Sequence, residues 1–212
     1  ENSSCAVRHR GETVFREVDQ PFFGLHRTRR TGARTFDVWS LRKKKYQIGE
    51  TVALSMNNCR ETAGAFFSES SDLAVAQVTV NYLHGFGWLT QMCRDVSFTG
   101  VHFHPDSQHH VSSFADCIHV CGCKGTVTIK DCSFTQAHDD AINIHGAFLR
   151  FVRRVDDHTA VFQFVHRQQG GYRAFFPGDT VRFYYRSSLQ PCGEENTVAA
   201  VEDDIDAKTC TL

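Results

Sequence analysis

A chain of 212 residues with 23 Lys and Arg against 24 Asp and Glu is nearly neutral. That balance argues against nucleic acid or an anionic membrane as the main partner, because both attract an excess of protein cations. No apolar run approaches the roughly 20 residues of a bilayer span, so no membrane insertion is expected, and a 41% hydrophobic content suffices for a buried core.

The first fifty residues are locally basic, with Arg27, Arg29, Arg30 and Arg34 and then Arg42 to Lys45. Their patterning is mixed; the simplest reading is a solvated strand-and-loop region. Asn2-Ser3-Ser4 fits a glycosylation acceptor. The chain does not begin with Met and carries no signal-like amino terminus, which reads as a piece of a longer protein.

Helical periodicity is scarce beyond this point. Short runs of Val, Ile, Phe and Thr, separated by Gly, Asn and Asp, predict many brief strands. Leu73, Val75, Val78 and Val80 follow apolar-x-apolar-x-x-apolar-x-apolar. Val96, Phe98, Val101 and Phe103 repeat the pattern 23 residues on, and Val127, Ile129, Cys132 and Phe134 repeat it after a further 31. The longer interval holds His104-Pro105-Asp106-Ser107-Gln108-His109-His110, a loop inserted between equivalent strands. Alternation, a two-residue step and renewed alternation suit a strand that turns a corner and continues. Stacked at this period, such strands form parallel ladders around an apolar interior. Asp116 to Val120 align with Asp140 to Ile144 at an offset of 24, setting Ile118 on Ile142 and Val120 on Ile144. The predicted fold is therefore all-β, a right-handed parallel β-helix over residues 1–148. A β-sandwich of hairpins is the alternative, but residues 70–146 lack the Asn-Gly and Asp-Gly turns that hairpins favour.

After Gly146 the rhythm lengthens. Leu149, Phe151 and Val152, then Val161 to Val165, then Val181, Phe183 and Tyr185 predict longer strands, with turns at Gly170-Gly171 and Pro177-Gly178-Asp179. Residues 149–212 read as a small β-barrel-like inserted domain.

Equivalent positions on adjoining parallel strands lie about 4.8 Å apart. Asp116 and the Asp139-Asp140 pair are equivalent, at offsets of 23 and 24, so two or three carboxylates should crowd one wall. At an effective dielectric near 20, two charges ~5 Å apart repel by roughly 3 kcal/mol, about two pKa units. One member should then hold a proton while another stays ionised, the division of labour that glycoside hydrolysis needs. A solvated Asx corner and a calcium site are the competing readings of an isolated Asp-Asp pair. His119, His138, Asn143, His145 and Gln91 fall near the same wall and suit sugar hydroxyls.

Cys117, Cys121, Cys123 and Cys132 invite a zinc reading, but Cys-x3-Cys-x-Cys is not the paired pattern of common zinc modules; packing as small apolar residues is expected, with a disulfide and then a metal site as the alternatives. His102, His104, His109 and His110 read as a solvated loop rather than a metal site.

Residues 72–146 resemble glycoside hydrolase family 110, the inverting α-1,3-galactosidases. The resemblance rests on Gly85 to Gln91, Ala115 to His119 and above all His138-Asp139-Asp140-Ala141-Ile142-Asn143-Ile144-His145-Gly146. Phe164 to Gly170 and Phe176 to Val181 look like the family's β-rich inserted domain, so that the resemblance runs from about Gly49 to Tyr185. It implies an inverting exo-α-galactosidase that needs no metal or other cofactor and acts on glycans with terminal α-linked galactose. Asp139 would be the general acid, with Asp116 and Asp140 holding and deprotonating the water. His119 and His145 would contact substrate, with Gln91, Asn143 and His138 near them. Extracellular or periplasmic residence follows from such substrates. Two other functions remain: a hydrolase or lyase on acidic polysaccharide, and a non-catalytic carbohydrate-binding β-helix. The first would want cations beside the carboxylates, yet residues 115–146 offer only Lys124 and Lys130.

Overall fold

The structure, a computed structural model, describes residues 5–8, 10–11, 16–17, 25–40, 47–54, 62–166 and 169–212. The Asn2 acceptor triplet, Arg42 to Lys45, and Arg167 and Gln168 lie outside the described residues. Among those described, the secondary structure is all β, with no helix. The chain forms two compact units, Glu1–Ile144 and His145–Leu212.

In the first unit, β1 (Cys5–Arg8) pairs antiparallel with β2 (Arg16–Glu17) on one side and with a later strand, residues 51–54, on the other. The hairpin of β3 (Leu25–Arg30) and β4 (Phe36–Ser40) carries part of the basic run. Arg29 pairs with Asp37 at 2.7 Å and lies over the Trp39 ring, 5.7 Å from its centroid; both side chains of the ion pair face water. Residues 25–40 form two strands and the loop between them, and the side chains described at 29–37 are exposed or half-buried. Strand β5 (Thr51–Leu54) returns to β1.

The next eight strands make two parallel sheets. They are β6 (Ala63–Ser68), β7 (Ser71–Val80), β8 (Phe86–Gln91), β9 (Arg94–Phe103), β10 (Ile118–Cys121), β11 (Lys124–Lys130), β12 (Ser133–Phe134) and β13 (Ile142–His145). One sheet has the order β13-β10-β8-β6; in the other, β9 lies between β7 on one side and β11 and β12 on the other. The register of the second sheet is the alignment of the three apolar segments. Leu73, Val75, Val78 and Val80 face Val96, Phe98, Val101 and Phe103, and Val127, Ile129 and Phe134 face Val96, Phe98 and Phe103.

The two-residue step in that pattern is a left-handed corner. Gln77, Gly100 and Asp131 occupy equivalent positions and have φ of 57°, 63° and 54°. Two further tiers turn the same way: Glu69, Met92 and Gly122 (49°, 51°, 64°), and Asp72, Asp95 and Gly125 (53°, 53°, 70°). A residue in this conformation redirects the chain while the next side chain still points inward. At Gly100 a Cβ would overlap the Gln77 side chain, so glycine serves both conformation and space there. Gln77→Val puts a β-branched residue where even unbranched ones are strained. It is expected to cost about 1–2 kcal/mol in urea unfolding, against little or no cost for Gln77→Gly; equal effects would remove the corner from the account.

The core follows from the rungs. Val96, Phe98, Val101 and Phe103 on β9 are at most 1% exposed because a strand covers them on either side. Of their equivalents on β7 and β11, Leu73, Val75, Val78, Val127 and Ile129 are only half-buried, since each has a neighbour on one side, while Val80 at the end of β7 is buried. The same holds in the first sheet, where Ile118 and Val120 are buried but Ile142 and Ile144, on the last strand, are 39% and 54% exposed. Cys117 belongs to the core and Cys123 and Cys132 pack against it as free thiols, the small apolar role expected of them; Cys93 is a further free thiol of the core.

The second unit is antiparallel. Strands β14 (Leu149–Arg154), β15 (Ala160–Phe164), β18 (Glu202–Asp204) and β19 (Thr209–Thr211) form a sheet in the order β14-β15-β19-β18. A hairpin pairs β16 (Thr180–Tyr184) with β17 (Pro191–Thr197). The turn expected at Pro177-Gly178-Asp179 has Gly178 at φ 91°, with the Asp179 carboxylate accepting the Phe176 amide at 2.9 Å. Phe162 stacks on Phe183 at 5.7 Å, and Phe162, Phe164, Val198 and Cys210 are buried.

Candidate active site

Two loops lead into neighbouring strands of the first sheet. Residues 111–117 precede β10, and residues 135–141 precede β13. Backbone hydrogen bonds tie them in parallel: Cys117 N donates to Asp140 O at 2.9 Å, Ile118 N to Ala141 O at 3.2 Å, and His138 N to Ser113 O at 3.0 Å. The offset of 24 is thus the register of the backbone, and it stacks the loop carrying Asp116 against the loop carrying Asp139 and Asp140. One carboxylate oxygen from each of the three lies within 4.8 Å of the others.

The three acids have unlike surroundings. Asp116 is 3% exposed, whereas Asp139 and Asp140 face water. Its Oδ2 accepts from His119 Nδ1 at 2.6 Å and from Asn143 Nδ2 at 3.0 Å. Burial pulls the His119 imidazole down, but hydrogen bonds to Asp116 and Cys121, with the charge of Asp116, outweigh it and raise His119 to about 9. His119 is therefore an imidazolium at neutral pH. Asp139 Oδ1 accepts the Asp140 amide at 3.1 Å, an Asx-like contact that orients the exposed pair.

Burial pushes the adjacent Cys117 thiol up to about 12, which removes it as a nucleophile near neutrality. His138 sits below the usual histidine range because of burial, and its ring meets Phe114 edge-on at 5.0 Å. Asn143 joins the cluster through Asp116. Gln91 does not: it is in register with Cys121, five residues past Asp116, roughly 16 Å along an extended strand. His145 ends β13, where its Nδ1 donates to Gly146 O at 2.8 Å. In the histidine-rich loop, Asp106 receives the amides of Gln108 and His109, and the His109 ring stacks on Tyr82 at 4.3 Å. His102 Nδ1 and His104 Nε2 each lie 2.7 Å from Ser133 Oγ.

One positioning residue escaped the reading of the sequence. Gly87 N donates to Asp116 O at 2.9 Å from β8, and a Cβ at Gly87 would overlap the carbonyl oxygens of Asp116 and Cys117. Glycine is needed there for the close approach of the Asp116 backbone, a demand that the Gly85-Phe86-Gly87 string carries without announcing it.

Fold and site together define an all-β protein with a three-carboxylate cluster built on parallel strands, joined to an antiparallel β unit. Residues 159–208 match the family described as GLAA-B beta-barrel domain II. Over 145 residues, 67% of this chain, it is 34% identical to a protein of Bacteroides fragilis named alpha-1,3-galactosidase B. It is 33% identical over 148 residues to alpha-1,3-galactosidase A of Akkermansia muciniphila, and 40% identical over 132 residues to that of Peterkaempfera griseoplana; these matches take in 69% and 61% of this chain. The chain spans about a quarter of the length of the first two relatives (24% and 25%) and 18% of the third. These matches bear out the resemblance to glycoside hydrolase family 110: over some two thirds of its length the chain is a relative of the alpha-1,3-galactosidases A and B.

Proposed function

We propose that the protein is a glycoside hydrolase that removes terminal α-linked galactose, of the α-1,3 linkage named for its relatives, with inversion and without a metal or other cofactor. The observation that carries this reading is the gathering of Asp116, Asp139 and Asp140 within 4.8 Å on adjoining segments, in a stretch related to the alpha-1,3-galactosidases. In the same reading the parallel sheets are walls of a right-handed β-helix, and residues 149–212 form the barrel-like insert. The protein works outside the cell or in a periplasm, where such glycans occur.

Asp139, exposed to solvent, gives its proton to the leaving oxygen as the C1–O bond breaks. Asp116 and Asp140 hold one water, whose oxygen bonds to C1 while its proton passes to Asp140. The acid and base are reset through solvent. A water donating to two carboxylates at about 2.7 Å each holds their oxygens roughly 4–5 Å apart, which suits the observed spacing of the pair that binds it. An acid and base that invert are usually about 6.5–9.5 Å apart, wider than this cluster. Inversion on this cluster requires the Asp139 carboxyl to stand farther from the base once the galactose ring is bound. His138, Asn143 and His145 supply the polar contacts for the sugar; Gln91 is too far along β8 to contact the same ring.

The test is to follow α-1,3-galactosyl oligosaccharide by proton NMR as the protein acts. The β-anomer of galactose should appear first, with the rate unchanged by chelator. Early α-anomer would replace inversion by a retaining route, for which carboxylates about 5 Å apart are the usual geometry. Chelator-sensitive turnover would return the cluster to a cation site.

A further inference from the structure

Resting on that hydrolase reading, we infer that His119 is a positioning residue: it holds Asp116 ionised as the group that orients the water, leaving Asp140 to take the water's proton. The resemblance assigns His119 to substrate, but its geometry points inward. Nδ1 is bound to Asp116 Oδ2 at 2.6 Å, and the side chain is 15% exposed. The ring is fixed edge-on against Phe86 of β8, 5.2 Å between centroids. Asn143 Nδ2 supplies the second donor to the same oxygen at 3.0 Å, so both lone pairs of Oδ2 are engaged. Asp116 is thereby approached by a cation and an amide, both of which favour its anion against the cost of burial.

Asp140 has no such arrangement, facing water on the loop before β13. Two bases around one water then differ in kind. One is locked as an anion and directs the water; the other is exposed and exchanges protons with solvent. The titratable groups on the elements packed around the pair are His138, Asp139 and Asp140 ahead of β13, His145 at the end of that strand, and Cys117 and Cys121 beside and in β10. From β8, Phe86 and Gly87 bring no charge.

The raised His119 value supports this arrangement and sets its pH window. A histidine held up to about 9, against about 6.5 in the unfolded chain, contributes stability that is complete below pH ~6.5 and is lost as pH rises through about 9.

Two measurements on the whole protein test the inference. In imidazole NMR titrations, His119 should remain protonated past pH 8, and Asp116→Asn should lower its midpoint by about one unit or more. This reading needs no turnover, so it judges the pair even if the protein proves inactive on galactosides. The second is the pH profile of kcat/KM for His119→Asn, whose amide can replace Nδ1 as a donor but carries no charge. KM should stay within about threefold, while the acidic limb moves up by about one pH unit, and raising the pH should restore most of the rate. A His119 midpoint near 6.5 in both proteins would overturn the pairing. A His119→Asn enzyme with raised KM and an unmoved profile would make His119 a substrate contact and overturn the role assigned to it.

Discussion

Asp139→Asn is expected to lower hydrolysis of unactivated galactosides by about 10³-fold, at the centre of the ~10²–10⁴ range for loss of a general acid. Asn keeps the side-chain oxygen that accepts the Asp140 amide at 3.1 Å, and the site is exposed, so stability should change by no more than about 0.5 kcal/mol. The diagnostic lies in the leaving group. An aryl galactoside whose phenolate leaves without protonation should recover most of the lost rate, because only the proton donor has been removed. Asp116→Asn should show no such recovery, since it removes the water's support and also strips His119 of its charge partner. Wild-type rates from Asp139→Asn would take the acid role from that residue.

The second large effect is in the core. Phe103→Ala should cost about 3–5 kcal/mol, the range for truncating a fully buried aromatic and a large part of the roughly 5–15 kcal/mol that holds a typical domain folded. Phe103 is completely buried, with its ring 5.3 Å from Trp88 and 5.6 Å from Phe134. Phe134, its neighbour on β12, is half-buried because the ladder ends beside it. Phe134→Ala should therefore cost distinctly less in the same urea titration. Equal costs would mean that the rungs do not differ in burial as described.

The contrast between these two phenylalanines also marks how far the sequence can be read. The alternation from Leu73 to Val80, repeated from Val96 and from Val127, predicts which residues face inward and which face one another. It does not predict that, of these three segments, only β9 would have a neighbour on both sides and have all four of its apolar residues fully buried. The two-residue step announces a corner; that the corner is left-handed, and stacked at Gln77, Gly100 and Asp131, comes from the coordinates. Strands β17 and β18 were not foreseen because Pro191–Thr197 and Glu202–Asp204 are polar and mostly exposed, joined by ladder hydrogen bonds rather than by an apolar face.

The sequence by itself determined the strand pattern and the meeting of Asp116 with Asp139 and Asp140. Both are consequences of spacing, and a parallel register turns a difference of 23 or 24 positions into contact. Only the tertiary structure decided that Asp116 is buried and paired with His119 and Asn143, that Asp139 and Asp140 face water, that Gln91 is remote, and that Gly87 must lack a side chain. Those outcomes depend on which polar atoms meet in three dimensions and how much water reaches them. Periodicity records which side of a strand is apolar, but it holds no record of hydrogen-bond partners or local solvation.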